Sequence, residues 1–138
     1  TGAQMVAALE DAVSEHLDKG RSDGSHPYAA GLRWNLDMSK PKGQRFTNVE
    51  VQDRRTGAWK PLDPARSYVL VTNDFVAAGQ DGYTTLGEVY KTGAYVNTYL
   101  LYTQTFVDYV KVQKALGRPA LADYSHQRVV TKDGRVLP

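Results

Sequence analysis

The sequence has 138 residues, 41% of them hydrophobic and 23% charged. That composition fits one globular domain able to bury a core without staples, and it excludes collagen, coiled coil and wholesale disorder. Seventeen Lys+Arg against fifteen Asp+Glu leave a net charge of +2, too weak a bias to argue for nucleic acid or an anionic membrane. No apolar run approaches the roughly 18 residues of a membrane span. With no cysteine, disulfides and Cys-based zinc sites are excluded, and the compartment stays open between cytosol and periplasm.

Thr1-Gly-Ala-Gln4 fits a capping box, with Thr1 as N-cap and Gln4 at the third helical position. Met5, Leu9, Val13 and Leu17 then recur every four residues, with Glu10, Asp11, Ser14 and Asp18 on other faces. The pattern predicts an amphipathic helix of about four turns, ended at Lys19-Gly20. Residues 20–30 read as a polar loop. Leu32, Trp34 and Leu36 alternate with Arg33, Asn35 and Asp37 as a half-buried strand. A second strand runs through Phe46, Val49 and Val51, with an irregularity near Asn48. A short third one holds Trp59 and Leu62. The β-branched run Tyr68-Val-Leu-Val-Thr72 predicts a strand buried on both faces.

Phe75 to Tyr83 reads as a small-residue loop. After an irregular stretch, Tyr95 to Leu116 is expected to be the longest helix, with Val96, Leu100, Phe106, Val107 and Val110 on one side and Gly117 as its cap. Arg128–Thr131 and Arg135–Leu137 form a hairpin across Lys132-Asp-Gly134. The order implies an α+β fold, a mixed or antiparallel sheet with helices packed on it, in a single domain over 1–138.

His16, His26 and His126 show no metal-ligand spacing and read as surface or capping histidines. No nucleophile motif, Walker loop or dinucleotide fingerprint is present. Ser125-His126 lacks an encoded third member and oxyanion hole. Arg54-Arg55, Lys40 and Lys42 lie in turns, where a solvated hairpin end explains them better than a phosphate track. Thr72–Tyr83 stands apart. Phe75 offers a ring for stacking, Ala77, Ala78 and Gly79 permit close approach, and Asp81 sits on a glycine turn. A base stacked on Phe75 and a ribose diol held by Asp81 would use those features. A tight turn with Phe75 in the core and Asp81 bonding its own backbone is the alternative.

Asn73-Asp-Phe75 followed by Gly79-Gln-Asp-Gly-Tyr83 resembles the signature of the 5′-nucleotidase C-terminal domain. Gly31–Asp37, the Ser39-Lys-Pro-Lys-Gly43 turn, Trp59–Asp63 and Tyr68–Thr72 agree in order. Tyr124-Ser-His-Gln-Arg128 is similar to the family's terminal Tyr-Ser-Thr-Gln-Arg, with His126 in place of threonine. The resemblance implies a phosphohydrolase of two domains acting on nucleotides or nucleotide-sugars. An N-terminal metallophosphatase domain, with two divalent metal ions, would be its partner. This chain would be most of the nucleoside-binding domain, beginning inside it, with the first aromatic of the base sandwich, the phosphate-binding arginines and the metal ligands upstream.

Phe75 matches the family's second sandwich aromatic and Asp81 its ribose-binding carboxylate, while Asn73 and Gly79 shape the loop. The chain alone is expected to be inactive, with no catalytic residue, metal ligand or cofactor of its own, and the parent to be periplasmic or secreted. Gln80 departs from the family's glycine and would be strained at positive φ. It also supports a second reading, a non-catalytic interaction or dimerisation module, as does the aromatic stretch Tyr90, Tyr95, Tyr99, Tyr102, Phe106 and Tyr109, although helix packing explains those rings more simply. A carbohydrate binder using Trp34 and Trp59 is a third reading, against which both rings are expected to pack across the sheet.

Overall fold

A computed structural model describes residues 1–137. Helix α1 (Gly2–Leu17) begins at the expected capping box. Thr1 Oγ1 accepts from the Gln4 N–H, and the Gln4 side chain accepts from the Thr1 amino group at 2.7 Å. Its other free N–H groups are also used, Gly2 N–H donating to Arg66 O and Ala3 N–H to Pro64 O, each at 3.0 Å. The turn at 63–66 thereby seats the helix on the body.

Among the described residues five strands form one mixed sheet in the order β3-β2-β1-β4-β5. β1 (Leu32–Asp37) is central and pairs antiparallel with β2 (Phe46–Gln52), which pairs antiparallel with β3 (Trp59–Pro61). On its other side β1 pairs parallel with β4 (His126–Val130), and β5 (Val136–Leu137) closes the tail hairpin. The expected irregularity is present: Asn48 has φ +50°, and the β1–β2 register shifts between Arg33 and Asn35.

The core is the meeting of α1 with β1 and β2. Leu9 and Val13 pack on Leu32, Trp34, Leu36 and Phe46, with the Trp34 and Phe46 rings edge-on at 5.8 Å. Trp34 and Leu36 are fully enclosed, a burial worth about 2–3 kcal/mol each. Trp59 is partly covered, with the Arg33 guanidinium 4.3 Å from its ring centre. Both tryptophans therefore serve the sheet.

The polar side of α1 corrects the sequence reading. Glu10, Asp11, Ser14 and Glu15 are buried too, because a second layer lies over that side. Arg45 crosses it, donating to Ser14 Oγ at 3.1 Å and to Asp18 Oδ1 at 2.5 Å, while its own backbone N–H donates to Glu10 Oε1 at 2.8 Å. Charges so enclosed persist only when paired and hydrogen-bonded.

The middle of the chain differs further. Residues 68–72 form no strand and are mostly exposed, Val69 at 94% and Val71 at 88%. A β-branched run encodes propensity, but a strand also needs a partner edge. The 75–83 segment is not all loop, since α2 (Asp74–Ala77) opens it. A helix α3 (Thr84–Lys91) follows where an irregular stretch was expected.

The long helix expected over 95–116 shrinks to α4 (Tyr102–Gln113), shorter than α1. Its start is blocked by local competition: Asn97 Oδ1 accepts from the Tyr99 N–H at 2.8 Å and Tyr99 takes φ +54°. It ends at Lys114, with φ +63°, before Gly117. The face expected to pack is open, with Val96, Leu100, Phe106 and Val107 all exposed. Tyr90 and Tyr95 stack on each other at 4.1 Å, whereas Tyr99, Tyr102 and Tyr109 face solvent rather than packing.

Candidate functional site

Asn73 is the N-cap of α2, its Oδ1 accepting from the Val76 N–H at 2.8 Å. That cap fixes where the helix starts and sets Phe75 in its first turn. The Phe75 ring is 53% exposed, so it is not enclosed in the core. The chain then turns sharply. Gly79 has φ +85°, and a Cβ there would stand 2.8 Å from Gly87 Cα. The two glycines let the end of α2 cross α3 backbone to backbone. This is the packing reason for Gly87 inside a helix.

Asp81 carries the next turn at φ +51° and is exposed, a conformation for which aspartate is among the better side-chain-bearing residues. Gly82 follows at φ +82°, and a Cβ there would fall 2.2 Å from Glu15 Cγ. Gln80 lies outside the left-handed region, so the expected strain is absent.

The segment is held rigidly to α1. Asp11 Oδ2 accepts from the Thr85 N–H at 2.8 Å, from Thr85 Oγ1 at 2.7 Å and from Thr84 Oγ1 at 2.9 Å, while Lys42 reaches its other oxygen at 2.5 Å. Burial would push the Asp11 carboxyl up, but those bonds outweigh it and hold it below the usual range. Hydrogen bonding to Lys19, with Arg21 beside it, likewise lowers Glu15. Tyr83 donates to Ser25 O at 2.8 Å, and its phenol is raised by burial and by the nearby Asp81 charge. A half-exposed ring and a free carboxylate thus stand on one short segment fixed at both its turns.

The histidines are not all isolated on the surface. His16 Nδ1 caps Arg21 O at 3.1 Å, but His26 and His126 meet, Nε2 to Nε2, at 2.9 Å. Their separation of 100 residues hid the pair, and the one sequence signal was histidine where the family has threonine. Among the described residues no three His, Asp or Glu side chains converge as a metal centre would require.

The 5′-nucleotidase, C-terminal domain family matches residues 1–88. The chain belongs to that family. It is 36% identical over 113 residues to the NAD 5′-nucleotidase of Haemophilus influenzae, covering 80% of this chain and 19% of the relative. It is 36% identical over 115 residues to a probable 5′-nucleotidase of Treponema pallidum, covering 83% and 19%. The solved Haemophilus influenzae NAD nucleotidase superposes with a TM-score of 0.74 at 35% identity, over 81% of this chain and 20% of that one. The chain thus spans about a fifth of the length of these relatives. Among the described residues no helix is long and apolar enough to cross a membrane.

Proposed function

We propose that this domain binds the nucleoside part of a nucleotide and presents it to a metallophosphatase domain in the same polypeptide, which hydrolyses the phosphate ester or pyrophosphate bond. Phe75 stacks on the base, Asp81 accepts from the ribose hydroxyls, and Asn73 and Gly79 fix the backbone that carries both. Two divalent metal ions belong to the partner domain, and no hydrolytic step is assigned to this chain. Family resemblance also supports a periplasmic or secreted site of action.

The observation that carries the reading is the half-exposed Phe75 ring on α2, whose end packs on α3 through Gly79 and Gly87 while the following turns are tied to Asp11 of α1 and to Ser25. An exposed aromatic on mobile backbone would lose ordering entropy when a base stacked on it. A fixed one loses less. Stacking contributes about 1–3 kcal/mol per base, so one wall plus a carboxylate gives binding of about millimolar strength. The test is NMR titration of the chain with AMP, adenosine and UDP-glucose. Shifts confined to residues 73–83, and lost in Phe75→Ala, support the proposal. No shifts up to about 10 mM ligand, or shifts unchanged in Phe75→Ala, refute it.

A further inference from the structure

Helix α2 ends in two nested backbone bonds. Gly79 N–H donates to Val76 O at 3.0 Å, and Gln80 N–H donates to Phe75 O at 3.2 Å, with Gly79 at φ +85°. A six-to-one bond enclosing a five-to-two bond over a left-handed glycine is the Schellman way of closing a helix. That closure folds the residue after the glycine back over the helix, where its side chain commonly packs on that of the residue whose carbonyl it caps. The two residues so paired are Gln80 and Phe75. The packing side chain is usually apolar. In this chain it carries a carboxamide, and its partner is the half-exposed ring.

The backbone of Gln80 is tied on both sides, since its C=O also accepts from the Tyr83 N–H at 3.2 Å. Of the polar side chains over 73–83, those of Asn73, Asp74 and Tyr83 bond within the chain. Gln80 and Asp81 are neighbours, both exposed, and neither side chain makes a hydrogen bond among the described residues. The ionised Asp81 can only accept. The Gln80 amide donates and accepts in one plane.

We infer that Gln80 is a base-selecting residue, whose amide reads the amino-bearing edge of an adenine stacked on Phe75. The inference rests on the proposed function, in which Phe75 carries the base. A purine is wider than the phenyl ring beneath it, so its edge overhangs the rim on which Gln80 packs. Adenine presents an amino donor beside the N7 acceptor, the complement of a carboxamide, whereas guanine presents two acceptors on that edge. The Gln80 methylenes widen the stacking surface, and the amide bounds one side of it.

The test is NMR titration of the parent chain, Gln80→Leu and Phe75→Ala with adenosine, inosine and purine riboside, the last two lacking the amino donor. The parent should bind adenosine about 5-fold more tightly than either, the worth of one neutral hydrogen bond. Gln80→Leu keeps an apolar side chain against the ring. It should bring that ratio close to unity while the Phe75-dependent shifts remain. Nuclear Overhauser contacts between the Gln80 methylenes and the Phe75 ring should be present without ligand. Their absence, no preference in the parent, or a preference unchanged in Gln80→Leu overturns this inference. With Phe75-dependent shifts retained, each of those results leaves the functional reading standing. Shifts with none of the nucleosides, or shifts indifferent to Phe75→Ala, refute the functional reading and this inference with it.

Discussion

Acidification should loosen this domain well before its carboxylates protonate, through the His26–His126 pair. The rings are nearly parallel, 16° apart, with centroids at 5.0 Å and Nε2 atoms at 2.9 Å. That is an edge-to-edge N–H···N bond, and its gap admits one proton: one ring donates, the other accepts. Doubly protonated, the pair would bring two N–H groups and two charges together. Around it lie the Trp34 and Tyr28 rings and Ser125 Oγ, 3.0 Å from His126 Nδ1. Burial lowers His26, the nearby Asp23 charge opposes that and His16 adds to it. Burial and the neighbouring His26 push His126 down to about 4.

A lowered histidine binds fewer protons folded than unfolded between those two values. Its stabilisation is therefore complete above the unfolded value of 6.5 and is lost as pH falls toward about 4. For a single imidazole the linkage amounts to about 2 kcal/mol between about pH 7 and pH 5. Partial solvation of the pair reduces the expectation to about 1–2 kcal/mol. Asp18 and Asp37 are themselves held below 3.8, so their loss falls at more acid pH and does not overlap this window. Urea unfolding at about pH 7, 6 and 5 should show the decline in the parent chain and a shallower one in His126→Thr, where burial still lowers His26. An equal slope in that variant would refute the assignment. The pair joins the 20–31 loop to β4, and Ser25 beside it accepts from Tyr83. Protection of the amides at residues 79–83, relative to their intrinsic exchange at each pH, should therefore fall over the same window.

Three further outcomes follow from the packing. Asp81→Gly relieves a φ of +51° and should keep or raise stability by up to about 1 kcal/mol. It should at the same time erase any preference for adenosine over 2′,3′-dideoxyadenosine in the NMR titration. Gly79→Ala must place a Cβ 2.8 Å from Gly87 Cα at φ +85°, and urea unfolding should register a loss of at least about 2 kcal/mol. Arg45→Met leaves Glu10, whose Oε2 already lacks a hydrogen-bond partner, and Ser14 without their cation in a buried layer. It should cost about 3 kcal/mol in the same assay.

The elements that were legible in the sequence are those whose signal is local. The capping box and four-residue period located α1, alternation located β1, and Lys132-Asp-Gly134 located the tail hairpin. What was not legible depends on something distant. β4 lies parallel to β1 although some ninety residues separate them in sequence, and no period encodes such a pairing. Tyr68–Thr72 carries strand propensity but meets no edge in this chain. At 95–101 apolar periodicity competed with Asn97 and Thr98, whose side chains bond the backbone two residues on, and the local bonds prevailed.

The site shows the same division, and α1 is where its two halves join. Phe75, Asp81, Asn73 and Gly79 were singled out from one short motif, because a stacking ring, a turn and an acid are properties of a few adjacent residues. What fixes them in place was not readable. Asp11, Glu15 and Ser25 lie roughly fifty to seventy residues away, and in sequence the first two look like solvated helix positions. The carboxylates that a helical wheel sends to water instead bind Lys42, Thr84 and Thr85 or press against Gly82. One face of α1 closes the core while the other holds the 79–85 turns. A helix of this kind cannot shift against the sheet without moving Asp81. Rigidity of the candidate site and stability of the core are therefore the same property of this fold. Substitutions on either face of α1 should weaken ligand shifts and urea midpoints together, whereas Phe75→Ala, at the exposed end of the chain of contacts, should weaken only the first.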